Sequence, residues 1–404
     1  MKKVFVIGGL GHIGLTLAAV IAEHYKVVLM DTNEQAKVCF AIEKKASFFE
    51  PGIDELIDKN WDNLELANSW EQLMDCDYVV VTIGTHTDEY LNPVLSHVFK
   101  LFKHMKPYLT NQTIILRSTM YPGMTKKLEK FFVGTDVKIA FCPERVQSGN
   151  MVKELQILPQ IISANYEDAL KSAQEFFDPI KIKQKILNDT TAGELAKMMT
   201  NAYRYTEFAI ANQFFMMASD AGCNFFDIFD VIVDGYPRLQ NLPKPGFTGG
   251  SCLRKDSLQL AAWHSGSTFS LGYDASLVNE SLPLWVFRRM RSKFGDMSQI
   301  TVGILGMAFK SDCDDTRDSL SYRMKHILEN ECEKVLCSDP FVQSNDFVDA
   351  EFLLKNSDIV ILMTPHSIYK ELNMKLLKYP HKRCLFTETP LIDIWNFFGK
   401  GVGL

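Results

Sequence analysis

Cys252 stands behind the glycine-rich stretch Gly246-Phe247-Thr248-Gly249-Gly250-Ser251 and is followed by Leu253-Arg254-Lys255-Asp256. A thiol attacks as its thiolate, and a nearby cation favours that form. At this spacing Lys255 can supply the positive charge, and Asp256 can position water or take a proton. Glycines let the backbone pass close to a substrate and reach φ > 0. The same residues would also make a turn around an inert cysteine, since free cysteine is often simply core. A second loop, Gly9-Leu10-Gly11-His12-Ile13-Gly14, shifts that balance towards catalysis. In such a GxGxxG turn the first glycine bends the chain, the second admits a pyrophosphate and the third lets the helix pack closely. The helix N-terminus, with the N–H groups of residues such as His12 and Ile13, faces the phosphates. Asp31 ends the next apolar run, where a carboxylate bonds the adenine ribose and repels a 2′-phosphate, so NAD is expected rather than NADP. A cysteine nucleophile and a dinucleotide site in one chain point to oxidation through a covalent thioester.

These residues need a scaffold, and the chain reads as α/β. Val4–Ile7, Val27–Asp31, Tyr78–Ile83, Thr113–Leu116 and Val137–Phe141 are apolar runs that predict strands of a parallel sheet. A helix is predicted from about Ile13 to Glu23. The alternation gives a doubly wound sheet over roughly residues 1–185. From about Ala192 to Ala221 the pattern is helical without a proline, ~45 Å long at 1.5 Å per residue, suited to a domain link or a subunit interface as well as to a core helix. Lys197 and Asn201 lie four apart on it and can face one site. One cation and one amide donor suit a developing oxyanion. Residues 234–256 are rich in proline and glycine and read as an irregular loop. Leu271–Arg291 reads as helix, and Ile300–Gly306, Lys334–Pro340 and Ile359–Met363 as strands and turns of a second, smaller α/β domain. The expected plan is two Rossmann-like doubly wound domains joined by a long central helix: residues 1–188, a central part 189–294, and 295–404.

Composition sets the outer bounds. The chain has 404 residues, enough for two or three domains. A net charge of -6 argues against a general nucleic-acid binder. Nine cysteines form no CxxC pair, so neither zinc nor a redox motif is expected, and no metal site is assigned. The odd count, without a secretory apolar segment behind Met1-Lys2-Lys3, predicts a cytoplasmic protein. No apolar run is long enough for a bilayer. His12 and His264 belong to no acid–base pattern.

With these residues in view the chain resembles the nucleotide-sugar 6-dehydrogenase family, of UDP-glucose and UDP-N-acetylmannosamine dehydrogenase type, over essentially its full length. Cys252, Lys255 and Asp256 match the family's glycine-rich Cys-x-x-Lys-Asp motif. Arg117-Ser118-Thr119 before Pro122-Gly123 is similar to a Ser-Thr segment beside nicotinamide and the catalytic water. Phe141-Cys142-Pro143-Glu144-Arg145 is similar to the Pro-Glu motif, Glu194–Asn201 to the central-helix motif, and Gly306–Lys310 with Asp314–Ser319 to the C-terminal motif. Glu50-Pro51-Gly52 is a further family-like element. The resemblance implies an N-terminal NAD-binding Rossmann domain, a C-terminal nucleotide-sugar domain, and a homodimer through the central helix.

It also implies site residues. Cys252, Lys197, Asn201, Asp256, Glu144 and Thr119 would be catalytic. Gly9, Gly11, His12, Ile13, Gly14, Asp31, Thr85, Thr119 and Arg317 would contact the cofactor. Glu144, Arg145, Lys197, Asn201, Phe247, Gly249, Gly250, Lys255, Phe309 and Lys310 would contact the sugar nucleotide. The implied reaction is NAD-dependent oxidation of a sugar C6 alcohol to a uronic acid, on a UDP-hexose or UDP-N-acetylhexosamine. Three departures stand out. Thr248 lengthens the cysteine loop by one residue, the segment Thr85-His86-Thr87-Asp88 lacks a proline, and Cys313 stands where a threonine is usual. Two other classes compete: a single-step NAD-dependent alcohol dehydrogenase, which needs no cysteine, and a nucleotide-sugar binding protein without catalysis.

Overall fold

The computed structural model describes residues 1–85, 88, 94–263, 269–372, 390–399 and 402–404. His264 and Cys384, with part of the Thr85–Asp88 segment, lie outside the described residues. The chain divides into two compact units, Met1–Thr200 and Asn201–Leu404. This cut differs from the three-part division expected. It falls inside the central helix, and the cysteine segment shares a unit with residues 295–404.

Unit one is built on an eight-stranded sheet in the order β3-β2-β1-β4-β5-β6-β7-β8. The strands are β1 Lys3–Ile7, β2 Lys26–Met30, β3 Leu64–Leu66, β4 Tyr78–Val81, β5 Thr113–Leu116, β6 Lys138–Phe141, β7 Gln160–Ser163 and β8 Gln184–Leu187. All neighbours pair parallel except β6 and β7, which run antiparallel. β1, β4 and β5 are valine- and isoleucine-rich and buried almost throughout, as strands covered on both faces must be. β3, β7 and β8 escape the sequence reading. β3 is three residues long, β7 keeps only Ile161-Ile162 between polar ends, and β8 is largely exposed.

A helix, His12–Ile21, starts directly behind Gly11 and is buried from Gly14 to Ile21. The predicted central helix runs from Thr190 to Asp220, 31 residues. On its C-terminal part Ala202, Tyr205, Ala209 and Phe215 are buried, while Tyr203, Ile210, Phe214 and Met217 are exposed.

Unit two carries a four-stranded parallel sheet, order β10-β9-β11-β12, from β9 Thr301–Leu305, β10 Lys334–Ser338, β11 Ile359–Leu362 and the unforeseen β12 Leu391–Ile392. The helix Leu271–Phe294 precedes it. The stretch 234–256 is not loop to its end. The helix Leu253–Trp263 begins immediately after Cys252, so Lys255 and Asp256 sit in a helical first turn.

Candidate active site

In unit one the glycine turn closes the edge of β1. The chain is bent by Gly8, at φ +78°, rather than by Gly9 as the motif suggested. The Gly8 N–H donates to the Met30 carbonyl at 2.9 Å. Thr82, just beyond β4, donates its hydroxyl to the Ile7 and Gly8 carbonyls at 2.9 and 3.0 Å. A Cβ on Gly14 would fall 2.0 Å from the Gly8 oxygen, so the helix can pack here only without a side chain. At Gly11 the nearest atom to such a Cβ is 3.6 Å away, which leaves room in front of the turn, and no side chain caps the helix there. Asp31 accepts the Leu10 N–H at 3.0 Å through one oxygen and the Asn33 N–H at 3.0 Å through the other. Its carboxylate stays half-exposed beside the turn. An open turn, an uncapped helix N-terminus and an accessible acid fit a dinucleotide. The His12 ring stacks on Phe48, centroids 4.1 Å apart. Thr85 lies four residues beyond the end of β4 and is half-buried.

Unit one also holds a buried polar cluster. Arg117 is fully enclosed, pairs with Glu144, donates to the Gln160 side chain at 3.0 Å and lies over the Phe177 ring. Burial pushes its guanidinium down to about 10. Glu144 accepts the N–H groups of Arg145 and Val146 at 2.7 and 3.0 Å. Both carboxylate oxygens are thus engaged within the protein, a constraint on any acid–base role. The Arg145 guanidinium donates to the Pro159 carbonyl. Ser118 donates to the Ile83 carbonyl at 2.6 Å and so ties half-buried Thr119 to the end of β4.

Glu194, given no role by the sequence, anchors the loop beyond Thr119. Its buried carboxylate accepts the Gly123 N–H at 2.5 Å, the Thr125 N–H at 2.7 Å and the Thr125 hydroxyl at 2.6 Å. Burial raises its carboxyl above the ordinary range, against those hydrogen bonds. Lys197 follows on the same helix, half-buried.

In unit two, Asp256 is fully buried and its N–H donates to the Cys252 carbonyl at 2.9 Å, the first turn of the new helix. Asn201 donates its amide to Asp256 at 2.6 Å. Lys255, expected to serve the thiol, pairs with Asp256 at 3.5 Å. Cys252 is exposed at the helix N-terminus, a position that favours an anion.

The loop before it packs on the segment after β9. The Gly250 N–H donates to the Asp318 carbonyl at 3.1 Å, and a Cβ on Gly250, at φ +99°, would fall 2.6 Å from the Phe309 ring. Gly249 approaches the same Asp318 oxygen, and Phe247 is buried near Trp395. Arg317 forks onto Asp315 at 2.9 and 2.6 Å, with its guanidinium exposed. Those hydrogen bonds hold Arg317 above its ordinary value. Lys310 is half-buried, and its carbonyl accepts from the buried Cys313 thiol.

Unit two thus brings together Asn201, Cys252, Lys255, Asp256, Gly249, Gly250, Phe309 and Arg317. Unit one gathers the turn residues with Asp31, and separately Glu144 and Arg145, while Thr119 lies two residues beyond the Arg117 that pairs with Glu144. Among the described residues no helix is long and apolar enough to cross a membrane, and no cluster of histidine, cysteine, aspartate or glutamate could hold a metal ion.

Three family domains match the chain in order. They are the NAD binding, central and UDP binding domains of the UDP-glucose/GDP-mannose dehydrogenase family, over residues 2–181, 191–281 and 303–400. The UDP-N-acetyl-D-mannosamine dehydrogenase of Pyrococcus horikoshii is 26% identical, covering 97% of this chain and 98% of its own. Its solved structure superposes with a TM-score of 0.86 over 98% of this chain and 100% of that one, at 25% identity. The UDP-N-acetyl-D-mannosamine dehydrogenase of Methanocaldococcus jannaschii is 29% identical, covering 93% and 88%. The NDP-N-acetyl-D-galactosaminuronic acid dehydrogenase of Ralstonia nicotianae is 25% identical, covering 92% of each. Matched in all three domains and carrying the turn that an NAD-binding domain requires, this chain belongs to the UDP-glucose/GDP-mannose dehydrogenase family.

Proposed function

We propose that the protein oxidises the C6 hydroxyl of a UDP-N-acetylhexosamine or UDP-hexose to a carboxylate through a thioester on Cys252. The observation that carries this reading is the buried Asp256–Asn201 pair held one helical turn from an exposed Cys252. A single alcohol oxidation needs no such arrangement. The curated relatives named above favour UDP-N-acetylmannosamine as the first substrate to test.

Bound NAD would accept a hydride from C6 in each of two oxidations. The residues that would hold it are the turn from Gly9 to Gly14, with the His12 and Ile13 N–H groups, and Asp31, Thr85 and Thr119. Thr119 and Glu144, acting through water, take the hydroxyl proton as the alcohol becomes an aldehyde. The Cys252 sulfur then bonds to the aldehyde carbon, and Lys197 and Asn201 hold the resulting oxyanion. Loss of the second hydride from that carbon leaves a thioester. Water placed by Asp256 or Glu144 adds to it, the C–S bond breaks, and the carboxylate leaves with the thiol regenerated. The sum is one alcohol and one water converted to one carboxylate, with four electrons removed. Phe247, Gly249, Gly250, Lys255, Phe309, Lys310 and Arg145 would contact the sugar nucleotide, and Arg317 the cofactor side.

A homodimer belongs to the same proposal. Tyr203, Ile210, Phe214 and Met217 form an exposed apolar stripe at helical spacing. Phe214→Glu should shift the mass seen by sedimentation from dimer to monomer.

The deciding experiment measures NADH formed per sugar across UDP-N-acetylmannosamine, UDP-N-acetylglucosamine, UDP-glucose, UDP-galactose and GDP-mannose. Two NADH per sugar, lost in Cys252→Ala, support the thioester route. One NADH per sugar that survives Cys252→Ala means a single-step dehydrogenase. Thermal stabilisation without NADH means a binding protein.

A further inference from the structure

The central helix grips the cysteine segment at both of its ends. At the far end Asn201 holds Asp256. About three turns along the same helix, Asn212 holds Gly246. Its side-chain oxygen accepts the Gly246 N–H at 2.8 Å, and its amide nitrogen donates to the Gly246 carbonyl at 3.1 Å. One side chain therefore reads both backbone groups of one residue, as a neighbouring strand would. The same nitrogen donates to the Asn279 oxygen at 2.9 Å, and the Asn279 amide donates to the Tyr205 carbonyl at 3.1 Å. Both asparagines are fully buried.

Two enclosed amides are costly unless their donors and acceptors are satisfied, and a hydrophobic pair of similar volume would fill the space without that demand. What an apolar pair cannot do is fix the register of a passing backbone. Gly246 allows the grip, because a Cβ there would fall 1.9 Å from the Trp395 ring. Thr248 is itself buried and points its hydroxyl back to the Gly246 carbonyl at 3.4 Å. Two residues later the Gly250 N–H is taken by Asp318.

We infer that Asn212, backed by Asn279, is a positioning residue that sets where the Cys252 sulfur stands for addition to the C6 aldehyde. The inference rests on the thioester reading for its chemical consequence and on the Gly246 contacts for its geometry. The first hydride removal needs no sulfur, so the clamp should matter to the second.

The test uses Asn212→Ala and the milder Asn279→Ala in the full-length protein, with the first and second hydride transfers followed in single turnovers. In Asn212→Ala the first transfer should stay within a few-fold. The second should slow ~100-fold, the scale of a misplaced reacting group. Aldehyde should become trappable by a hydrazide, and KM for the sugar nucleotide should change little. Deuterium exchange at the Gly246 amide should speed up about tenfold as its acceptor is lost. Asn279→Ala should have a smaller effect and add nothing in the Asn212→Ala background. If Asn212→Ala does not fold, Asn279→Ala carries the same comparisons.

Three results overturn the inference: unchanged Gly246 exchange in a folded variant, faster exchange with both transfers at wild-type rates, or equal slowing of both transfers in step with lost thermal stability. If the wild type forms no NADH with any sugar nucleotide, the thioester reading fails instead. The clamp is then judged by Gly246 exchange and by iodoacetamide labelling of Cys252 relative to exposed Cys223. A labelling ratio that the variant leaves unchanged overturns it.

Discussion

The two sheets begin alike and end differently. In each, a strand runs into a glycine with positive φ, Gly8 at +78° and Gly306 at +89°. Each glycine N–H donates to the last residue of the adjacent strand, Met30 or Ser338. Each is pressed by a threonine beyond the next strand, Thr82 or Thr364, and each has an aspartate at the neighbouring tip, Asp31 or Asp339. In unit one that aspartate takes one N–H from the turn and stays half-exposed. In unit two Asp339 takes the N–H groups of Met307 and Ala308 at 2.6 and 2.9 Å, and buried His366 as well. With His366 Nδ1 accepting from the Asp312 N–H, Nε2 is the nitrogen that donates to Asp339. The carboxylate thus satisfies two N–H groups of its own turn. The next helix, Leu320–Glu331, starts well beyond the turn, and the intervening segment carries Phe309, Lys310 and Arg317. The same opening move gives an open cradle in one unit and a closed, self-satisfied turn in the other. What separates them is where the helix begins and who occupies the acid.

The sharpest way to break this comparison is Gly14→Ala. Its Cβ would meet the Gly8 oxygen at 2.0 Å, so the cradle cannot close and NAD binding should vanish in a calorimetric titration. The counterpart Gly306→Ala should lower the melting temperature and leave NAD affinity intact. If chemistry lies outside both turns, Lys197→Ala should cut kcat ~100-fold with NAD affinity unchanged. A loss of only a few-fold would remove Lys197 from the reaction.

Asp339→Asn tests the closed turn through stability. Burial alone would raise the Asp339 carboxyl, but His366 and the turn N–H groups outweigh it and hold it below the ordinary range. A carboxylate held low contributes stability above its unfolded value and loses it as pH falls through the folded one. The substitution should therefore cost about 2 kcal/mol at neutral pH in urea unfolding, with the gap to wild type narrowing on acidification. The smallest effect is expected at the open acid. Asp31→Ala should weaken NAD by about 1 kcal/mol and leave NADP binding no weaker. Equal losses for both cofactors would mean that Asp31 is not read by the ribose.

The correspondence of the two turns is hidden from the sequence because only a glycine, a threonine and an aspartate persist between them, at different spacings from their helices. The fold class was legible where strands are valine- and isoleucine-rich, as in β1, β4 and β5, since burial on both faces leaves an unbroken apolar run. β8 was not, because its exposed residues resemble a loop. Of the candidate site, Cys252, Asp256 and the glycine turn could be singled out from residue type and spacing, because their pattern is local, whereas Asn201 was singled out through the resemblance. The sequence also determined the α/β class, the long central helix and the expectation of NAD. Only the tertiary structure decided that Gly8 makes the turn, that Glu144 is held by buried Arg117, that Lys255 pairs with Asp256 and that Arg317 forks onto Asp315. The same holds for Asn212 gripping Gly246. Each of those facts joins residues distant along the chain or sets a side chain's direction. Such contacts are fixed by close packing and by the demand that every buried polar group find a partner, and neither leaves a local pattern to read.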